Sequence, residues 1–169
     1  MEFSVRPPRE SDLEALFQLH SDPRVYEHWP ESRVREQWQA EGMLGRLISG
    51  WQHDGVSYWV ITDDSTDAMI GLGGVRARKA GSTTYFNLYY RLVPEVWRRG
   101  IATAVAKQAI ALAHETAPEY PVIARMRASN VASERTALAA GLTRAGHDSQ
   151  GRLVFADRAL YPSLLELLP

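Results

Sequence analysis

Eleven residues, Val93-Pro94-Glu95-Val96-Trp97-Arg98-Arg99-Gly100-Ile101-Ala102-Thr103, constrain this chain more than any other stretch, because two arginines and a glycine stand where a strand ends and an alanine-rich helix begins. A helix N-terminus carries about half a positive charge and several backbone N–H groups without partners, so it favours Asp, Glu or Ser and disfavours Arg. An anion resolves the conflict. A phosphate on the N–H groups of Arg99 to Thr103 uses the helix terminus and both guanidinium groups together, and Gly100 lets the backbone approach it closely. The alternative is a helix that opens with two solvated surface arginines, which costs only tenths of a kcal/mol.

The rest of the chain must supply a scaffold for that turn. At 169 residues it is expected to be one domain, 1–169, with enough length to bury a substantial core. The charges nearly cancel, 19 Lys and Arg against 20 Asp and Glu, so no long-range field argues for nucleic acid or an anionic membrane as partner, and an anion site has to be local. There is no cysteine, which excludes a thiolate nucleophile, a disulfide framework and the common zinc sets. No metal site is expected. The first residues, Met1 to Pro7, lack the basic and apolar sections of a signal peptide, and no apolar run approaches the roughly 20 residues that span a bilayer. A cytoplasmic location is expected.

Patterning predicts the order of elements. Phe3 and Val5 alternate as a short strand, and Ser11-Asp12-Leu13-Glu14 supplies a capping box ahead of Leu13, Leu16 and Phe17. A second helix is predicted from about Ser32 to Ile48, with Val34, Trp38, Leu44, Leu47 and Ile48 on one face and Gly42 and Gly45 weakening it. Ser57 to Thr62 and Ala68 to Arg76 read as strands around the turn Asp63-Asp64-Ser65-Thr66-Asp67, whose spacing does not fit a calcium loop. A third strand, Thr84 to Val93, places Phe86, Leu88, Tyr90 and Leu92 on a core face and Tyr85, Asn87, Tyr89 and Arg91 on a face available for polar work. A helix from Ile101 fades after Ala113, Pro121 to Arg127 is a strand, Asn130 opens a short helix that Gly141 closes, and strands follow from Leu142 and over Leu153 to Ala159. The fold class is α/β: a mixed sheet with helices packed on it.

Trp97-Arg98-Arg99-Gly100-Ile101-Ala102, in this context, resembles the Gln/Arg-x-x-Gly-x-Gly/Ala phosphate loop of the GNAT superfamily of acyl-CoA-dependent N-acetyltransferases, and the resemblance covers nearly the whole chain. Trp97 replaces the first Gln or Arg. A tryptophan there after Pro94-Glu95, with Asn130-Val131-Ala132-Ser133 and Ala139-Ala140-Gly141-Leu142 further on, is similar to the Rim-type branch of ribosomal-protein N-terminal acetyltransferases. The resemblance implies a mostly antiparallel sheet of about six to seven strands with about four helices, and acetyl-CoA as co-substrate, its pyrophosphate on the turn at 98–103. It implies that the backbone of Leu92 and Val93 hydrogen-bonds the pantetheine arm, and that a backbone N–H near Leu92 meets the tetrahedral oxyanion. Asn130 would reach a pantetheine amide or serve as an ordinary N-cap, and Ser133 would donate to the departing CoA thiolate or bond back to the chain. The tyrosine acid of many members has no counterpart, since Ala137 occupies its position.

Acetyl transfer needs a neutral amine, so a proton must leave first. The branch often carries a Glu on the fourth strand, and Asn87 stands there in this chain. An amide accepts no such proton, which leaves Asn87 to orient a water or the amine. Base candidates come from His28, Glu27 and Glu31, with His28 best placed for neutral pH. Without cysteine the amine must attack bound acetyl-CoA directly, in a ternary complex. The acceptor is open between a protein N-terminus and a small amine, and the acidic and basic residues of the N-terminal helices nearly cancel. Trp29, Trp38 and Trp51 either pack in the core or line an acceptor pocket. A non-catalytic acyl-CoA-binding sensor is the alternative, kept alive by Asn87, and the branch resemblance is compatible with a homodimer. The glycines of Gly71-Leu72-Gly73-Gly74 lack a dinucleotide fingerprint and suit close strand packing.

Overall fold

The computed structural model describes residues 1–169. Seven strands form one sheet in the order β1-β2-β3-β4-β5-β7-β6: β1 Phe3–Arg6, β2 Tyr58–Asp63, β3 Met69–Ala80, β4 Thr83–Leu92, β5 Val122–Met126, β6 Thr143–His147 and β7 Leu153–Ala156. The sheet is mixed and mostly antiparallel. β1 pairs with β2 antiparallel, as do β5 with β7 and β6 with β7, while β4 and β5 run parallel with Phe86 opposite Val122 and Asn87 opposite Ile123. Five helices accompany it: α1 Leu13–Ser21, α2 Gln37–Asp54, α3 Ile101–Thr116, α4 Val131–Ala139 and α5 Pro162–Leu167. The chain divides into two compact units, Met1–Gly73 with Tyr90–Ala102, and Gly74–Tyr89 with Thr103–Pro169.

In the first unit α1 and α2 bury Leu16, Leu19, Ala40, Leu44 and Leu47. The start of α1 differs from expectation. No capping box forms at Ser11 and Glu14; the buried carboxylate of Asp12 instead accepts from Arg9 N at 2.7 Å and from both terminal nitrogens of Arg6 at 2.8 and 2.7 Å. Burial pushes that carboxyl up, and the bonds from Arg6 and Arg9 outweigh it, so Asp12 ends below the usual carboxylate range. The second helix starts later than the apolar spacing suggests, because the cap lies at Glu36: Gln39 Oε1 accepts from the backbone N–H groups of Arg35 and Glu36. It then runs through Gly42, Gly45 and Gly50, since burial of its Leu44 and Leu47 face outweighs a cost of about 1 kcal/mol per glycine. Trp38 and Trp51 differ in their surroundings. Trp38 is 67% exposed, whereas Trp51 packs against Trp59 and donates to Tyr58 O.

The second unit is built on Tyr85, Ile123, Val154 and Ala156, over which Leu164 and Leu168 close. This corrects two expectations. Tyr85 lies in the core rather than on an open polar face, and the cause is α5, which the sequence pattern did not reveal because Pro162–Leu167 is short and follows an exposed Tyr161. β7 accordingly ends at Ala156, three residues before the predicted end at Ala159. The 63–67 turn is closed by its own side chain, with Asp63 accepting from the Ser65 N–H and hydroxyl at 2.9 and 2.7 Å.

Candidate active site

The cationic turn forms as a distinct piece of backbone between β4 and α3. After Leu92 the chain makes a single 3-10 turn at Pro94–Val96, then Arg98 adopts φ 62° and Gly100 φ 78°. A left-handed arginine costs on the order of 1–2 kcal/mol, so the surrounding bonds must impose it. Trp97 is one source of that constraint. Its indole Nε1 donates to Leu92 O at 2.9 Å, tying the turn back to the end of the strand. Arg98, Arg99 and Gly100 are exposed, a Cβ added to Gly100 would find open space, and the first turn of α3 contains no acidic residue. Backbone donors, two guanidinium groups and a glycine without steric cover therefore coincide at one helix start, and Ile101, Ala102 and Thr103 contribute that start's first N–H groups.

The end of β4 is arranged differently from the expectation for Val93. Its N–H donates to Ile70 O at 2.9 Å and its carbonyl accepts from Val96 N at 3.2 Å, so Val93 has no spare donor for a pantetheine amide. The Leu92 carbonyl accepts from the Trp97 indole. Gly71 makes the close approach of β3 feasible: a Cβ there would lie 2.5 Å from both Arg91 O and Leu92 Cδ2.

Of the base candidates, Glu27 lies beside Tyr26 in the connection between α1 and α2. His28 is half-buried in this connection. A polar centre forms where His20 of α1, Tyr26 of the connection and Arg91 of β4 meet. His20 is 1% exposed, its Nδ1 is 2.8 Å from Tyr26 Oη, its Nε2 has no partner, and the Arg91 guanidinium sits 3.8 Å from the Tyr26 ring centroid. Burial, and then the Arg91 charge, lower the His20 pKa to about 3, so the ring is neutral. Burial raises the Tyr26 phenol, partly offset by Arg91. A cavity of about 200 Å³ is lined by Tyr26 with Pro23, Glu27, Pro30, Arg33 and Arg35. Arg24, held by Asp22, also reaches Glu95 at 3.0 Å and so links this connection to the turn that precedes Trp97.

In the second unit Asn87 lines a cavity of about 380 Å³ with Arg78, Lys79, Tyr85, Arg125 and Pro169. Asn130 is the N-cap of α4, its Oδ1 accepting from Ser133 N at 3.0 Å. Its amide NH₂ is not used in that bond. Ser133 is half-buried in the first turn, and Ala137, one turn on, is fully buried. Sequence reasoning picked out neither Tyr26 nor His20 as a site residue, and it placed Tyr85 on the polar face without its burial. Only the aromatic and imidazole side chains themselves signalled them, and neither alternation nor helical spacing separates such residues from core.

In this arrangement the fourth strand of a mixed sheet turns through a cationic, glycine-bearing loop into a long helix. The acetyltransferase (GNAT) domain model matches residues 3–143, and the chain belongs to that family of acetyltransferases. Solved structures agree at the level of the fold. An acetyltransferase from Agrobacterium tumefaciens is 20% identical with a TM-score of 0.76, covering 91% of this chain and 89% of its own. The RimL ribosomal L7/L12 alpha-N-protein acetyltransferase, solved with coenzyme A, is 18% identical with a TM-score of 0.75 and covers 94% of each chain. The spermidine N-acetyltransferase from Vibrio cholerae, solved with CoA and spermine, is 15% identical with a TM-score of 0.71, covering 91% of this chain and 92% of its own.

Proposed function

We propose that this chain is a cytoplasmic enzyme that moves the acetyl group of acetyl-CoA to a primary amine, by direct attack of the amine on the thioester in a ternary complex. The observation that carries this reading is the start of α3, where exposed Arg98 and Arg99 and the open Gly100 precede a helix with no acid in its first turn. Such a site suits a pyrophosphate, which the N–H groups from Arg99 to Thr103 and the two guanidinium groups bind together. The Leu92 backbone, at the end of β4, pairs with the pantetheine arm and offers its N–H to the oxyanion. The free amide of Asn130 reaches a pantetheine carbonyl while Oδ1 caps α4, and the Ser133 hydroxyl donates to the departing thiolate.

Asn87 orients the amine or its water rather than removing a proton. His28 or Glu27 takes the proton, because His20, neutral and buried, holds Tyr26 in place and does not titrate near neutrality. Positioning then supplies most of the rate, on the order of 7 to 11 kcal/mol, against the 10²- to 10⁴-fold typical of a general base.

Arg98→Glu combined with Arg99→Glu tests the reading. Acetyl-CoA affinity measured by calorimetry should fall by about tenfold or more, and unchanged affinity overturns the loop assignment. A CoA-release assay over a broad amine panel separates an enzyme from an acyl-CoA sensor, the second reading that Asn87 supports: tight binding with no turnover on any amine favours the sensor.

A further inference from the structure

The cavity beside Asn87 carries a charge that the acetyltransferase reading does not by itself require. Arg78, Lys79 and Arg125 line it, with Tyr85, Asn87 and Pro169, and no acidic side chain does. Asp148, which meets Arg125 Nη1 at 3.8 Å, has no side-chain exposure and is engaged by Arg152 Nε at 2.6 Å. Arg125 donates to the terminal oxygen of Pro169, so that cation is already engaged and Arg78 and Lys79 are left to meet a ligand. Arg78 and Lys79 are exposed at the cavity's edge.

The second observation is the Tyr85 hydroxyl. Tyr85 is 0% exposed and its Oη has no hydrogen-bond partner. A buried hydroxyl left without a partner costs free energy, and nearly all such groups in folded proteins are satisfied by protein, water or ligand. At the wall of a cationic cavity, the acceptor that satisfies it best is an anionic oxygen.

We propose that the acceptor amine carries a carboxylate, which docks in this cavity on Arg78, Lys79 and the Tyr85 hydroxyl while Asn87 faces the amine end. The inference rests on the acetyltransferase reading and narrows its acceptor. It excludes polycationic amines, whose remaining ammonium groups would meet the like charges of Arg78 and Lys79. An amino acid and the N-terminus of an acidic peptide share the required chemistry, an amine with a carboxylate within a few bonds or one residue of it.

The test compares a free amino acid, a tripeptide with an acidic second residue, the neutral amide counterpart of each, and spermidine. One acid probe should turn over with kcat/KM about tenfold or more above its amide, with spermidine no better than the amides. Which acid probe is preferred identifies the source. Arg78→Glu with Lys79→Glu, at exposed positions that leave the fold intact, should raise KM for that probe about tenfold or more without changing kcat or acetyl-CoA affinity. Tyr85→Phe should raise the same KM about threefold or more and leave thermal stability unimpaired. Equal use of acid and amide, preference for spermidine, or a charge reversal that weakens acid and amide alike overturns the proposal. Calorimetry of the same probes on the CoA complex reads the cavity without turnover. Binding of the acid probe with no transfer would refute the enzymatic reading alone, and absence of acid binding in a protein that acetylates neutral amines would refute the carboxylate site alone.

Discussion

At the scale of single residues, His20 shows how burial decides chemistry. Its imidazole is the group one would first choose as a base near neutral pH, yet enclosure and the charge of Arg91 hold its pKa near 3. The unfolded chain binds a proton at this position below about pH 6.5 and the folded chain does not until about pH 3, so the unfolded state gains protons across that window. Stability contributed by His20 is complete above pH 6.5 and declines as the pH falls, by about 1.4 kcal/mol per pH unit at most. Urea unfolding at pH 7, 6 and 5 should show this slope in the native protein and a shallower one in His20→Gln; equal slopes contradict the assignment. No spacing rule distinguished His20 from His28. The difference lies in Tyr26 and Arg91, which reach His20 through the fold. Gly71 and Asn130, by contrast, were legible, because a glycine in a strand and an asparagine before a helix each answer a local backbone demand.

At the scale of elements, the β6–β7 hairpin depends on one carboxylate. Asp148 accepts from the backbone N–H groups of Gln150 and Arg152, each at 3.0 Å, and from Arg152 Nε at 2.6 Å, while its side chain is fully buried. Removing it takes away the buried acceptor of Arg152 Nε and of two backbone N–H groups and opens the turn. Asp148→Ala should therefore destabilise the protein by about 3–5 kcal/mol, measured by chemical denaturation; a loss below about 1 kcal/mol would place the pair among ordinary surface ion pairs. The pairing of Asp148 with Arg125 could not be read from the sequence, since Arg125 comes from another strand. The same limit applies to α5, whose few residues have no periodicity to read and are held by Leu164 and Leu168 against Tyr85. Trp97 is the opposite case: visible as a departure from the loop pattern, it acquires meaning only through its bond to Leu92.

At the scale of the whole molecule, ligand binding should appear as stability. A ligand that binds only the folded chain stabilises it by about 2.7 kcal/mol at a hundred times its Kd. For a protein of this length that corresponds to roughly 5–10 °C in Tm. Acetyl-CoA should produce that shift in differential scanning calorimetry, and the Arg98→Glu, Arg99→Glu variant should lose most of it at the same concentration; equal shifts in both proteins place the cofactor elsewhere. What the amino-acid order determined alone was the set of local demands: alternation that makes strands, apolar spacing that makes α1 and α3, caps at Asn130 and Gly141, and a cationic turn whose charge opposes the helix it starts. These depend on neighbours within a turn or two, where backbone sterics and helix electrostatics act. Only the tertiary structure decided that Tyr85 is buried with an idle hydroxyl, that Val93 is committed to Ile70, that His20 is neutral, and that Arg78, Lys79 and Arg125 share a cavity. Each of those depends on desolvation and contact between residues far apart in the chain.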